Sequence, residues 1–208
     1  IAATKHIGLD ITKAKVAIEG FGNVGTFASR YLSEFGAKVV AVSDSRGVIY
    51  NENGLNVEKL LDVKQKTGTV TNYQPGERLP NKEIFELPVD ILIPAALPDV
   101  ITRSNVSKIE AKIVVEAANI PTTPEIEDVL HKLGVLVIPD FVANAGGVIS
   151  SYAEYRGYNP KKMFDIVEKK IKRNVKIVFE RGKKDDVKPR DAALEISQER
   201  VSKAGGRR

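Results

Sequence analysis

Along the first 140 residues, short runs of β-branched and other apolar residues alternate with stretches whose apolar positions recur every three or four places. KVAIE (15–19), KVVAVS (38–43), VDILIP (89–94), KIVVEA (112–117) and GVLVIP (134–139) each predict a strand. Their continuous apolarity, without in–out alternation, predicts burial on both faces. Between the first two, Val24, Phe27, Ala28, Tyr31, Leu32 and Phe35 fall at helical spacing, and Gly36 is placed to end that helix. Residues 57–66 and 123–133 predict two further helices. The second is opened by Thr123 as cap, Pro124 in the first turn and Glu125 at the positive end. This alternation predicts an α/β fold built on a doubly wound, mostly parallel sheet.

Residues 68–88 carry turn formers and little periodicity, which predicts a loop with at most a short strand. Beyond Asn144 the pattern is helical only. Asn159 and Pro160 form a strong helix start, Met163, Val167, Ile171, Val175 and Val178 form an apolar stripe, and Gly182 is read as the stop. A last helix follows Pro189 with Ala193, Ile196 and Val201 inward, and the terminal AGGRR is expected to fray. The expected organisation is a domain over 1–156 with the helices of 157–208 packed on it.

The 208 residues are 42% hydrophobic and 28% charged, an ordinary balance for a soluble globular protein. No apolar run approaches bilayer length and the start lacks a signal-peptide pattern, so a cytoplasmic location without membrane contact is the expectation. With no cysteine there is no thiolate chemistry or disulfide framework, and His6 and His131 lie outside any ligand-spaced cluster, so no metal is expected. Absent Cys, a single Met and abundant Lys and Glu fit a heat-adapted source. Residues 161–208 hold 16 Lys and Arg against 8 Asp and Glu. Acids interleave with those bases at helical spacing and aromatic platforms are lacking, which favours a solvated helix face over a nucleic-acid surface.

Gly20, Gly22 and Gly25 form G-x-G-x-x-G between a predicted buried strand and a predicted helix. In that context the first glycine allows a tight turn, the second lets a pyrophosphate approach the backbone, and the third allows close helix–strand packing. Phe21, Asn23 and Val24 complete the loop, whose N–H groups and helix dipole favour an anion. The second strand ends in Ser43, Asp44 and Ser45, where an acid can hold the adenosine ribose and favour NAD. Arg46 could instead meet a 2′-phosphate, and Asp44 could simply be the first residue of a DSRG turn. Three more loops follow predicted strands: PAALPD with Ala95 and Ala96, EAANIPTTPE with Asn119, and PDFVANAGGVISSYAEY with Asn144. Ligands of open α/β sheets bind at such ends.

GFGNVG, SDSRG, IPAALPDVI, VVEAANIPTTPE and PDFVANAGGVISSYAEY, in this order, resemble the coenzyme-binding domain of glutamate dehydrogenases, within the amino-acid dehydrogenase superfamily. The resemblance runs from KHIGLD to PRDAALEISQERV and implies a Rossmann-like sheet with one strand opposed to the rest. It implies NAD or NADP as cofactor, with Gly20–Gly25 at the pyrophosphate, Asp44 and Ser45 at the adenosine ribose, Ala95 and Ala96 along the cofactor's path, and Asn119 and Asn144 at the nicotinamide half. Val148 and Ser151 match positions that face the side-chain carboxylate of glutamate.

The implied reaction is reversible oxidation of L-glutamate to 2-oxoglutarate and ammonia, in an enzyme that assembles as a homohexamer. The family's catalytic lysines and acid lie in an N-terminal domain whose motifs have no match in 1–208, so no catalytic residue is assigned. The expectation is a piece of a longer enzyme that binds nucleotide without turnover. The alternative is a stand-alone NAD(H)-binding regulatory module.

Overall fold

A computed structural model describes residues 1–205. In chain order the elements are α1 (Ala2–Ile7), β1 (Lys15–Glu19), α2 (Asn23–Glu34), β2 (Lys38–Asp44), β3 (Gly47–Tyr50), α3 (Val57–Thr67), β4 (Glu77–Leu79), β5 (Ile91–Pro94), β6 (Ile113–Val115), α4 (Pro124–Lys132), β7 (Leu136–Ile138), α5 (Asp140–Ala143), α6 (Gly146–Tyr155), α7 (Pro160–Asp185) and α8 (Pro189–Gly205). Among the described residues, the strands form one sheet in the order β4-β3-β2-β1-β5-β6-β7. β2, β1, β5, β6 and β7 pair in parallel, while β3 is antiparallel to both β2 and β4. One strand therefore opposes the other six, and the fold is the doubly wound, parallel-dominated α/β sheet that the alternating pattern predicts.

Both faces of the sheet are covered, and the pleat divides the apolar residues between them. Val16, Ile18, Ile91, Ile93, Ile113 and Ile138 point to one core, which also contains Leu60 of α3, Val175, Val178 and Phe179 of α7, and Ala192, Ala193 and Ile196 of α8. Ala17, Leu92, Val114 and Val137 point to the other, with Ile84, Phe85, Ile101, Ile126 and Leu130. Continuous apolar runs are needed because neither face meets water.

Several boundaries shift from the expected ones, each for a local reason. β6 ends at Val115 because the N–H groups of Ala117 and Ala118 both turn to the Pro94 carbonyl. β7 ends before Pro139, which offers no N–H to a ladder and begins the next helix. β3 is the opposed strand that the resemblance implies, but the pattern does not locate it: after the two-residue Ser45–Arg46 turn its four residues are too few to register as a period. Residues 68–88 hold short 3-10 turns at Val70–Asn72 and Asn81–Glu86 around the three-residue β4.

Three expectations about the helices need correction. The apolar stripe of α2 is only partly its buried face: Ala28 and Leu32 pack against the core beside buried Gly25 and Ser29, whereas Val24, Phe27, Tyr31 and Phe35 are about half exposed. In the first turn a small residue faces the sheet because the backbones of α2 and β1 approach too closely at Gly25 for a large one, and Ser29, one turn on, donates to the Gly25 carbonyl. Gly182 does not stop α7, which continues to Asp185 and ends on Asp186 at φ 53°. Gly182 is instead a contact point, where a Cβ would lie 2.9 Å from the Val187 carbonyl oxygen. Val201 faces outward on α8, and Ala192 takes the inner position with Ala193 and Ile196. The helix α8 runs through Ala204 and Gly205, and the rest of the AGGRR segment expected to fray lies outside the described residues.

At the helix starts, Asn159 accepts the Lys162 N–H as its spacing predicts, but Thr123 occupies the cap position of α4 without a capping bond. Some of the bases of the C-terminal helices are paired with interleaved acids, as in Arg181 with Asp185, Glu195 and Glu199, Lys176 with Glu180, and Lys172 with Glu168. No described helix is long and apolar enough to cross a membrane.

Candidate nucleotide site

β1 is flanked by β2 on one side and β5 on the other, so the chain order reverses beside it. Such a switch point opens a crevice beyond the strands' carboxyl ends. A cleft of about 580 Å³ lies there, lined among others by Gly20, Phe21 and Gly22 after β1, Ser43, Asp44 and Ser45 at the end of β2, and Ala96 and Leu97 after β5.

The three glycines differ in what surrounds them. Gly20, at φ 95°, has the Ala96 methyl 2.6 Å from where its own Cβ would stand. At Gly25 an added Cβ would lie 1.8 Å from the Gly20 carbonyl oxygen. Gly22 meets nothing within 4 Å and occupies the N-cap of α2 with no side-chain capping bond. Two glycines are thus required by protein packing, and the third keeps space free at a helix N-terminus whose first N–H groups suit an anion. Asn23 and Val24 form the first turn of that helix.

Ser43 links the two strand ends by accepting the Gly20 N–H at 3.0 Å. Asp44 uses both oxygens within the protein: Oδ1 accepts from the Arg46 N–H at 2.9 Å and the Thr69 hydroxyl at 3.2 Å, and Oδ2 from the Val70 N–H at 2.7 Å. The turn role and the cleft position therefore coexist, since a carboxylate offers about four acceptor sites. Ser45 is exposed at the mouth, and Arg46 does not line the cleft.

Ala95 and Ala96 are tied down by Glu19, whose Oε2 accepts their N–H groups at 3.2 and 3.0 Å. Burial pushes the Glu19 carboxyl up, and those N–H groups pull it partly back. Lys64 of α3 donates to the Phe21 carbonyl at 2.6 Å and brings a cation to the glycine loop. Phe85, Val100, Thr102, Ser104, Asn105, Asn81 and Lys82 form the far wall. Sequence reasoning missed Glu19, Lys64 and that wall. Glu19 could have been found as a lone charge in an apolar run, whereas Lys64 looks like any lysine on a helix.

Asn119 and Asn144 lie outside this cleft, on the loops after β6 and α5, and meet each other: Asn144 Nδ2 donates to Asn119 Oδ1 at 2.8 Å. Beside Asn119, Ile120 is held at φ 49°, a conformation costing a β-branched residue about 1–3 kcal/mol. Its carbonyl accepts the N–H of Asp99, itself at φ 51°, joining the loops after β5 and β6. Val148 and Ser151 are exposed, three residues apart and so on one face of α6, with the Ser151 hydroxyl donating to the Gly147 carbonyl. They too lie outside the cleft. Among the described residues, no group of three or more His, Asp or Glu side chains is arranged to hold a metal ion.

The sequence profile of the glutamate/leucine/phenylalanine/valine dehydrogenases matches residues 2–208. A glutamate dehydrogenase from Aeropyrum pernix is 47% identical over 98% of this chain and 51% of its own length. An NAD-specific glutamate dehydrogenase from Staphylococcus aureus is 41% identical over 97% of this chain and 50% of its own. Curated relatives include NADP-specific enzymes as well as NAD-specific ones. Among solved structures, hetero-hexameric glutamate dehydrogenase from Thermus thermophilus, in a leucine-bound form, superposes with a TM-score of 0.88 at 30% identity, covering 98% of this chain and 49% of that one. The chain spans about half the length of these relatives.

Proposed function

The chain belongs to the glutamate/leucine/phenylalanine/valine dehydrogenase family, and on that premise we propose that it is the nucleotide-binding half of a glutamate dehydrogenase. The observation that carries this reading is the open space at Gly22. A glycine with no neighbour to accommodate, at an uncapped helix N-terminus over the switch point, is kept free of a side chain for something outside the protein. A pyrophosphate fits that space and the N–H groups around it.

In this reading Gly20–Gly25 hold the pyrophosphate, with Lys64 adding positive charge nearby. Asp44 and Ser45 hold the adenosine ribose, and Ala95 and Ala96, fixed by Glu19, keep the path along the sheet edge narrow. Asn119 and Asn144 orient the nicotinamide half. When bound, the oxidised nicotinamide would accept a hydride from the α-carbon of glutamate, and water would then hydrolyse the resulting 2-imino acid to 2-oxoglutarate and ammonia. Val148 and Ser151 contact the substrate's side-chain carboxylate from α6. The lysines and the acid that handle the substrate's protons belong to the half of the enzyme that the relatives carry and these 208 residues do not match. The complete enzyme is a homohexamer, and this chain by itself binds nucleotide without turning substrate over.

Calorimetric titration of the chain with NADH and NADPH, alongside an assay of glutamate-dependent NAD(P) reduction, tests the reading. Saturable binding of at least one nucleotide without turnover is expected. Absence of binding to either overturns the site, and turnover by the chain alone overturns its incompleteness.

A further inference from the structure

Besides its apolar face, the C-terminal helix sends one guanidinium to the sheet edge. Arg190, second residue of α8, has a side chain only 15% exposed and donates to three carboxylates. Nε donates to Glu127 at 2.7 Å, and Nη2 to Glu116 at 2.8 Å and to Asp140 at 3.1 Å. These acids come from three elements: Glu116 just past β6, Glu127 in α4, and Asp140 at the start of α5. Glu116 Oε2 also accepts the Asp140 N–H at 3.0 Å, which ties β6 to the start of α5. The Phe141 ring, 5.4 Å from the guanidinium carbon, flanks the cluster.

Asp140 then acts on both asparagine loops. Its Oδ2 accepts the N–H of Ile120 at 3.0 Å, in the left-handed turn next to Asn119. Its main-chain carbonyl accepts the N–H of Asn144 at 2.8 Å. The backbones on either side of the Asn119–Asn144 contact are thus fastened to one residue, which Arg190 holds through its other carboxylate oxygen. A cluster of three acids on one arginine is poor evidence for stability, because desolvation offsets the attraction. Groups arranged in this way do hold neighbouring side chains to a narrow geometry.

We propose that Arg190 is a positioning residue for the nicotinamide end of the nucleotide site: by way of Asp140 and Glu116 it sets the Asn119–Asn144 pair without touching the ligand. This rests on the dinucleotide reading above. The remote half of the ligand, held by the glycine loop and Asp44, shares none of these contacts.

The test compares two probes, ADP-ribose, which lacks nicotinamide, and NADH, on the chain as described. In the parent, NADH binds more tightly than ADP-ribose. In Arg190→Gln, ADP-ribose affinity stays within about twofold while NADH affinity falls about fivefold or more, the scale of one lost amide hydrogen bond. Asn144→Ala gives the same split with an unchanged melting temperature. If circular dichroism shows that Arg190→Gln does not fold, Arg190→Lys, which keeps a charge among the acids but not the fork, is read in the same way.

A loss of both ligands in parallel, or of neither, overturns the proposal. So does equal affinity of the parent for the two probes, because there is then no nicotinamide subsite to position. A parent that binds neither probe instead overturns the nucleotide reading itself.

Discussion

Gly25 stands so close to Gly20 that a Cβ on Gly25 would lie 1.8 Å from the Gly20 carbonyl oxygen. The first turn of α2 rests directly on the end of β1, and no side chain can be inserted without moving one backbone. Gly25→Ala is therefore expected to cost about 3 kcal/mol or more, lowering the melting temperature by roughly 6–12 °C for a chain of this size. Thermal unfolding followed by circular dichroism reads the shift. A melting temperature equal to the parent's would mean that the helix is not seated as described.

Gly22 makes the opposite prediction. Its φ of −85° suits any residue and its Cβ direction is empty, so Gly22→Val should change stability by only about 1 kcal/mol. Nucleotide binding should nevertheless be lost, since the isopropyl group would occupy the approach to the helix N-terminus. Retained NADH affinity in this variant would remove the pyrophosphate from that position.

Asp44→Ala removes three hydrogen bonds, to Arg46, Thr69 and Val70, and should cost about 1–3 kcal/mol of stability. NADH binding should weaken about tenfold while NADPH binding changes less, so that the NADH-to-NADPH affinity ratio falls. Titration of both nucleotides measures the ratio. A destabilised variant with an unchanged ratio would leave Asp44 as a turn residue only.

Lys64→Met should retain the fold, because α3 is anchored by Val57 and Leu60 rather than by this side chain. Loss of the cation at the Phe21 carbonyl should weaken nucleotide binding several-fold at low ionic strength and by less at high salt, where the charge is screened. Parent and variant with the same salt dependence would exclude Lys64 from the phosphate's surroundings.

Glu116 gives stability a distinctive pH dependence. Burial, then the neighbouring Glu127, lifts its carboxyl from 4.5 to about 7, against the pull of Thr122, Arg190 and the Asp140 N–H. Between those values the folded chain holds a proton that the unfolded chain has released, so this group's contribution to stability falls as pH rises from about 4.5 to 7 and levels off above. Glu116→Gln, neutral throughout, should match the parent near pH 4.5 and exceed it above pH 7. Melting temperatures across that range check this, and curves that stay parallel would refute it.

The strands, the long helices and the glycine loop were legible because each leaves a local trace: a β-branched run, a 3.6-residue period, or a fixed spacing after a strand. Other features left none. β3 has only four residues, and its pairing depends on where β2 ends. The stripe of α2 is a true helical period of which only Ala28 and Leu32 reach the core, because the distance to β1 decides which residues fit underneath. Gly182 has the composition of a helix stop and the position of a packing contact, and only the neighbouring Val187 tells the two apart.

The candidate site divides along the same line. Gly20, Gly22 and Gly25 lie within six residues after β1 and Asp44 ends β2, and local chemistry limits what residues at such strand ends can do. Lys64, Phe85 and Arg190 come from helices or turns far along the chain, and nothing near them in sequence marks them. The sequence by itself determined the layered α/β class, the glycine turn and the family resemblance, because these depend on neighbours within a few positions. Only the tertiary structure decided which of the three glycines has open space, that Asp44 is shared between turn and cleft, and that one arginine holds both asparagine loops. Those facts are distances between segments, and distances between segments are set by how the whole core packs.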